Sequence, residues 1–130
     1  EIKNNLNLNI SLKRTGKIED RTALRNYYAE ADIMIAPYLE DNLPNTILEA
    51  MACETIVLAF GVGGIPEIID HKVDGFLASS LNSEYLYDGL KYIMKSDLEE
   101  LKKNARTKIL NNFDRKKNYK KFVKLYKDII

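Results

Sequence analysis

The sequence has a single cysteine and no excess of either charge. Its 130 residues include 20 Lys and Arg against 19 Asp and Glu, and the one cysteine is Cys53. One cysteine cannot form a disulfide within the chain, which favours a reducing compartment, so we expect a cytoplasmic protein. The charge balance gives no general argument for a nucleic-acid or membrane partner. Cys53 lies in an apolar segment and is predicted to be a core residue.

Long apolar runs and metal-ligand clusters are also absent. The longest apolar stretch, residues 55–62, is far shorter than the roughly 20 residues that span a bilayer, and residues 1–10 lack the layout of a signal peptide. His71 is the only histidine, and we expect it to be solvated in its polar turn, with no zinc site. With 45% apolar and 30% charged residues, the chain is typical of one globular domain, spanning residues 1–130.

Apolar runs alternate with amphipathic segments in the first two thirds of the chain. The predicted elements are strands at residues 9–12, 32–37, 55–60 and 75–78, a helix that begins near Asp20, and helices at about 44–53 and 65–70. Strands that alternate with helices at this spacing predict an α/β fold, with a parallel sheet covered by helices on both faces. The strand at 32–37 is predicted to be buried on both of its faces.

Helices are predicted to follow the last strand. Ser83 opens one of them, with its apolar residues facing inward, and Ser96 opens a second through a capping-box pattern. Residues 97–130 form a helical tail, whose last helix begins near Asp114. That helix combines seven basic residues between positions 115 and 127 with one apolar stripe. We expect the stripe to pack on its own domain, the alternative being peripheral contact with anionic lipid.

The loop and helix at residues 41–49 carry the chemistry that the sequence suggests. Ligands of parallel sheets bind beyond the carboxyl ends of the strands, where loops enter helices, and this loop follows the predicted strand at 32–37. The amides of Thr46, Ile47 and Leu48 are predicted to be unpaired at the helix start, a position that suits phosphate. Asp41 and Glu49 flank those amides and could bind the hydroxyl groups of sugars.

The same residues also allow a purely structural interpretation. Thr46-x-x-Glu49 matches a capping box, in which the Glu49 carboxylate accepts from the Thr46 amide and contacts no ligand. Asp41 would then be a solvated loop residue. The glycines within residues 61–64 lack the spacing of a dinucleotide fingerprint, and they either permit a tight turn near a ligand or simply end the strand. Spacing alone leaves these alternatives open.

The residues resemble the pattern of a known family. Asp41, seven further residues, and then Glu49 followed by AMAC are similar to the signature of retaining GT-B glycosyltransferases of family 4. The flanking motifs TGKIED, YYAEADIMIAP and TIVLAFGVGGIPEIIDHKVDGFLA match that family in the same order, over about residues 9–95. The resemblance implies a Rossmann-like sheet, the C-terminal half of a GT-B fold, which binds the nucleotide-sugar donor.

The resemblance also implies what the whole enzyme does. It would transfer a hexose, with retention of configuration, from a nucleotide-diphospho-sugar to a glycan or lipid-linked acceptor, and a UDP-sugar is the expected donor. No metal or other cofactor is expected. The family's acceptor-binding domain and its phosphate-binding Arg and Lys precede the matched segment. Since the chain begins without Met, we expect a truncated piece that is inactive alone, with peripheral contact to the inner face of the membrane as a further expectation.

Four residues of the loop and helix match the sugar-binding positions of the family. Asp41 and Glu49 stand at its two acidic, catalytic positions, where the first contacts the hydroxyl groups of the donor hexose and the second binds the ribose. Asn42 and Leu43 match loop residues whose backbone lies against the hexose. By this resemblance, Glu49 is a ribose ligand in an otherwise packed helix.

The remaining donor-binding positions lie at the helix start and upstream. Thr46 and Ile47 match the residues that hold the diphosphate, and Ile18 matches a backbone position near the nucleobase. Several positions depart from the family pattern. The first acidic position is usually Glu, with Glu40 adjacent here; Glu54 replaces a helix-ending glycine, Ile56 a proline, and Gly61 a residue that is often Asp. Two other functions stay open, a non-catalytic α/β interaction module and a GT-B-type nucleotide-sugar epimerase.

Overall fold

A computed structural model describes residues 13–129. Within that range, three strands form a parallel sheet in the order β1 (Ile33–Ala36), β2 (Ile56–Phe60) and β3 (Gly75–Ala78). The helices are α1 (Arg21–Glu30), α2 (Asn45–Ala52), α3 (Ile65–Ile68), α4 (Ser83–Lys95), α5 (Leu98–Asn112) and α6 (Arg115–Ile129). The predicted α/β fold is confirmed, and the strand predicted at residues 9–12 lies outside the described residues.

Strand β2 forms the centre of the core. All five of its residues are buried, because β2 pairs with β1 on one side and with β3 on the other. Its side chains alternate between the two faces of the sheet. Val57 and Ala59 join an apolar cluster with α2 and α5, whereas Ile56 and Leu58 join a second cluster that is built mainly on α4. Helices therefore cover both faces of the sheet, as predicted.

Strand β1 is less buried than the sequence predicts. Ile33 and Met34 are half-buried, Ala36 is buried, and Ile35 is 49% exposed. Among the described strands β1 pairs with β2 alone, and α4 packs on β2 and β3. The prediction of burial on both faces is therefore wrong within the described range, because α4 leaves the β1 end of its face open.

The helix starts show which side chains act as caps. Asp20 caps α1, since its Oδ1 accepts the Thr22 amide at 2.9 Å, and this prediction is confirmed. Helix α4 begins at Ser83. The capping box predicted at Ser96 is wrong, because Asp97 is the residue that caps α5. The Ser96 hydroxyl instead donates to a carbonyl near the end of α4, and a carboxylate suits the positive end of α5 better.

Helix α6 leaves most of its apolar stripe exposed within the described residues, although Val123 is half-buried. Tyr119, Phe122, Tyr126 and Ile129 are each more than 60% exposed, at 69%, 62%, 65% and 72%. The expectation that this stripe packs on its own domain is therefore wrong for the part of the domain that the structure describes. Exposed apolar patches of this kind are typical of surfaces that contact another protein or a membrane.

A buried carboxylate fixes α5 to the turn ahead of β3. Asp74 is 1% exposed; its Oδ1 accepts the Asp70 amide at 2.8 Å, and its Oδ2 lies 3.7 Å from Lys108 Nζ. Burial raises the pKa of Asp74 to about 6, while the Asp70 amide and the Lys108 charge oppose that rise. The sequence showed only a polar turn here, because Lys108 is distant along the chain.

Glu54 occupies the position after the α2 C-cap with a positive φ of 65°. A residue with a side chain costs about 1–2 kcal/mol in the left-handed region, and glycine avoids that cost. Glycine also has an opposite, smaller effect, because it increases the conformational entropy of the unfolded chain. We predict that Glu54→Gly raises the free energy of unfolding by about 0.5–1 kcal/mol, measured by urea denaturation. Glu54→Ala keeps the strained φ and is the control. Equal stabilisation by both substitutions would show that backbone strain is not the cause.

Candidate functional site

The loop between β1 and α2 places the predicted acidic residue at the carboxyl end of the sheet. β1 ends at Ala36 and α2 begins at Asn45. Asp41 is half-buried in this loop, and its Oδ1 accepts the Leu43 amide at 3.1 Å. A hydrogen bond from an Asp side chain to the amide two residues on closes a local turn. One carboxylate oxygen of Asp41 therefore holds the loop, and Oδ2 has no hydrogen-bond partner among the described residues.

The glycine turn after β2 presses directly against this loop. The Gly64 amide donates to the Asp41 carbonyl at 3.1 Å. A Cβ on Gly63 would lie 2.0 Å from the Asp41 carbonyl oxygen, and a Cβ on Gly64 would lie 1.7 Å from that of Asn42. Gly63 also has a positive φ of 54°. Of the two roles left open for these glycines, the structure supports the tight turn, because only hydrogen fits between the two backbones.

Helix α2 begins without a side-chain cap. Its N-cap is Pro44, whose carbonyl accepts the amides of Ile47 at 3.1 Å and Leu48 at 3.4 Å. The prediction that these two amides are unpaired is therefore wrong, because the Pro44 carbonyl is within reach of both. At the α2 start, the amides of Asn45 and Thr46 have no acceptor among the described residues. Free amides and the positive end of the helix dipole remain together at this point.

The capping-box interpretation of Glu49 does not hold. The Thr46 hydroxyl lies 2.7 Å from the Tyr38 hydroxyl, and α2 has no hydrogen bond from a capping side chain. Glu49 is exposed and has no hydrogen-bond or ion-pair partner within residues 13–129. Among the described residues, a carboxylate without a partner thus lies one helical turn after the unpaired amides.

Glu49 opens onto a cleft of about 340 Å³ between α1 and α2. The residues that line the cleft are Arg21, Leu24, Arg25, Tyr28, Glu49, Ala52 and Cys53. Thr55 holds the two helices in place, since its buried hydroxyl donates to the Tyr28 carbonyl at 2.6 Å. Cys53 is half-buried, so the prediction of a core residue is wrong. It borders the cleft because α1 covers only part of α2.

Three charged side chains and one phenol determine the electrostatics of this cleft. Burial, and then the nearby Glu49 carboxylate, raise the pKa of Tyr28, so its hydroxyl remains a hydrogen-bond donor near neutral pH. Arg21 and Arg25 stand on the α1 wall, with the Glu49 carboxylate on the α2 wall. Sequence reasoning missed both arginines. Their spacing of four residues within a predicted helix was the available signal.

The other predicted residues lie in different environments. Asn42 and Leu43 are exposed in the loop, whereas the Ile47 side chain is fully buried in the core. Ile18 is half-buried in the segment before α1. His71 is exposed as predicted, but its Nδ1 accepts the amide of Leu77 at 3.1 Å, so it also braces β3.

Comparison with known proteins identifies the family. The sequence model of the family described as glycosyl transferases group 1 matches residues 1–96, well over half of the chain. The chain belongs to this glycosyltransferase family. Its relatives are therefore glycosyltransferases. The resemblance drawn from residues 41–49 is confirmed for membership of the group 1 glycosyltransferases.

Individual relatives agree with that assignment. The glycosyltransferase chain is 37% identical over 67 residues to D-inositol 3-phosphate glycosyltransferase of Saccharomonospora viridis, covering 52% of the chain and 16% of the relative. Sucrose-phosphate synthase of Thermosynechococcus elongatus superposes with a TM-score of 0.79 at 26% identity, over 88% of the chain and 29% of that structure. The C-terminal domain of a glycosyl transferase group 1 protein from Francisella tularensis shares the fold, with a TM-score of 0.69 at 23% identity, over 78% and 53% of the two chains.

The fold of the glycosyltransferase chain is that of GT-B C-terminal domains. The matched part spans less than a third of the first two relatives. Two further properties concern residues 13–129 alone: no helix there is long and apolar enough to cross a membrane, and no cluster of three His, Cys, Asp or Glu side chains is arranged to hold a metal ion.

Proposed function

We propose that the chain is the nucleotide-sugar-binding domain of a retaining glycosyltransferase, which moves a hexose from a nucleotide-diphospho-sugar to a glycan or lipid-linked acceptor. The observation that carries this proposal is the α2 start. There, the amides of Asn45 and Thr46 precede the Glu49 carboxylate by one turn, and none of these groups has a partner among the described residues. A diphosphate needs hydrogen-bond donors and positive potential, which the amides supply, and a ribose needs an acceptor for its hydroxyl groups, which Glu49 supplies.

In this proposal, each part of the donor contacts its own part of the site. The diphosphate lies on the amides of Asn45 and Thr46, and the ribose lies about 5 Å further along the helix at Glu49, given a rise of about 1.5 Å per residue. The hexose extends toward the loop, where Oδ2 of Asp41 accepts its hydroxyl groups. Glu40 is exposed beside it.

Neighbouring residues support these contacts. The backbone of Asn42 and Leu43 borders the hexose, and Ile18 lies toward the nucleobase end. Ile47 acts through its buried side chain, which anchors α2 in the core and so fixes the position of the free amides. A rigid anchor of this kind preorganises a binding site.

Catalysis by the whole enzyme follows from charge stabilisation. As the bond between hexose and diphosphate breaks, negative charge grows on the leaving diphosphate. Fixed amides stabilise that charge without reorganising, and no metal is part of the proposal. The chain alone is proposed to bind the donor weakly and to transfer nothing, since an acceptor-binding domain completes the enzyme.

The proposal also includes a cellular localisation. The single cysteine supports the cytoplasm. The exposed apolar stripe of α6 and the seven basic residues between positions 115 and 127 support a peripheral position at the inner face of the membrane.

Titration of the isotope-labelled chain with UDP, GDP and ADP tests the donor site. We predict that at least one nucleotide shifts the backbone amide resonances of residues 45–49, with a Kd of about 1 mM, while resonances of α4 on the opposite face stay unchanged. The Thr46 amide should shift most, because it is free to bind phosphate. If no nucleotide perturbs residues 45–49, the interaction-module alternative is favoured. Formation of an epimer by the intact protein without an acceptor would favour the epimerase.

A further inference from the structure

The α1 wall of the cleft carries two arginines that the donor site has not yet used. Arg21 and Arg25 are four residues apart, and both line the cleft opposite Glu49. Within residues 13–129 neither guanidinium has a carboxylate within ion-pair distance or a hydrogen-bond acceptor. Arg21 also stands in the first turn of α1, where a positive charge opposes the helix dipole. A stabilising role in α1 therefore does not account for Arg21.

The position of the cleft relative to α2 indicates which part of a donor reaches the arginines. This inference rests on the proposed function, in which the diphosphate lies at Asn45 and Thr46 and the ribose lies one turn later at Glu49. The cleft continues past Glu49 to Ala52, about 5 Å further along the helix. A base attached to that ribose enters the groove between α1 and α2, with Arg21 and Arg25 beside its edge and Ile18 just ahead of α1.

A guanidinium group has five hydrogen-bond donors and no acceptor. It therefore favours a base edge that presents carbonyl oxygens. Uracil presents O2 and O4, and guanine presents O6 with N7, whereas adenine places an amino donor at the corresponding edge. We propose that Arg21 and Arg25 are specificity-determining residues, which select a donor whose base carries carbonyl acceptors and disfavour an adenine nucleotide.

The test compares the dissociation constants of UDP, GDP and ADP, obtained from amide shifts, for the unmodified chain and three variants. The variants are Arg21→Met, Arg25→Met and the double substitution, which keep an unbranched side chain without the charge. Arg115→Met, on α6 and outside the cleft, is the matched control. We expect the unmodified chain and the control to bind UDP or GDP about tenfold more tightly than ADP. In the double variant we expect that ratio to fall to about one, mainly through weaker binding of the favoured nucleotide.

The outcomes separate this inference from the function on which it rests. Nucleotide shifts at residues 45–49 with an unchanged preference in all variants would overturn the specificity role and leave the donor site intact. An equal loss of affinity for UDP, GDP and ADP would also overturn it, because the arginines would then bind the shared diphosphate. The absence of shifts with every nucleotide would overturn the donor site itself. Loss of base preference in the double variant, with ADP binding retained, supports the inference.

Discussion

Gly64→Ala is expected to abolish nucleotide binding and to lower the free energy of unfolding by about 3 kcal/mol. The new Cβ would lie 1.7 Å from the Asn42 carbonyl oxygen, a distance that no rotamer change relieves because both partners are backbone. The loop between β1 and α2 must move away. That movement also breaks the hydrogen bond from the Gly64 amide to the Asp41 carbonyl, and the α2 start is then no longer held beside the loop.

Gly61→Ala is the matched control for this substitution. A Cβ on Gly61 would meet its nearest neighbours, the Ala78 carbonyl oxygen and Leu77 Cβ, at 3.8 Å, which is ordinary contact. Urea denaturation should show a stability close to that of the unmodified chain, with unchanged shifts on nucleotide titration. If Gly64→Ala matches this control in both measurements, the two loops are not packed as the structure shows.

The fold was largely predictable because its core follows local patterns. The apolar run at positions 55–60, which begins with three β-branched residues, contains the fully buried β2, and Asp20 caps α1 where the sequence places it. Errors arose where a choice depended on distant partners. Ile35 is exposed because α4 stops short of β1, and no pattern within 32–37 contains that information. Likewise, Asp97 instead of Ser96 caps α5, since both residues have capping side chains and neighbouring helix geometry decides between them.

The candidate site was predictable in position and less so in detail. The alternation of strands and helices places residues 41–49 at the carboxyl end of the sheet, and that location required no coordinates. Which amides are free depends on the reach of a single carbonyl, that of Pro44. The fit of the glycine turn against Asp41 joins segments some twenty residues apart, and the cleft joins α1 to α2 across β1. Only a three-dimensional arrangement reveals such contacts.

The contact between Tyr38 and Thr46 bears on whether Glu49 is a capping residue or a ligand residue. The N-cap of α2 is Pro44, so Thr46 lies inside the first helical turn and is not the capping residue that a capping box requires. Its hydroxyl lies instead 2.7 Å from the Tyr38 hydroxyl. The sequence contained both residues but gave no sign that they meet. A capping residue and a ligand residue differ in what their removal changes: a cap stabilises the fold, and a ligand stabilises the complex.

Glu49→Gln is therefore expected to weaken nucleotide binding by tenfold or more while leaving the stability of the chain unchanged. A carboxylate accepts two ribose hydroxyl groups, whereas the amide of Gln has one acceptor oxygen and carries no charge, and hydrogen bonds to charged groups contribute about 1.5–3 kcal/mol. Nucleotide titration gives the affinity, and urea denaturation gives the stability. Glu84→Gln, on α4 at the other face of the sheet, is the control for affinity, which it should leave unchanged. Because Glu84 lies in the first turn of α4, the stability of this variant should fall by about 0.3–1 kcal/mol.

For Glu49→Gln, the capping and ligand interpretations predict opposite results for nucleotide affinity and for the free energy of unfolding. If Glu49 were a capping residue, the substitution would lower the free energy of unfolding by a fraction of the roughly 1 kcal/mol that a lost cap costs, and affinity would stay the same. A ligand role produces the reverse, because Glu49 is exposed and has no partner in the described chain to lose. Unchanged affinity would remove the ribose contact from the proposed site, and with it the argument that places the base beside Arg21 and Arg25.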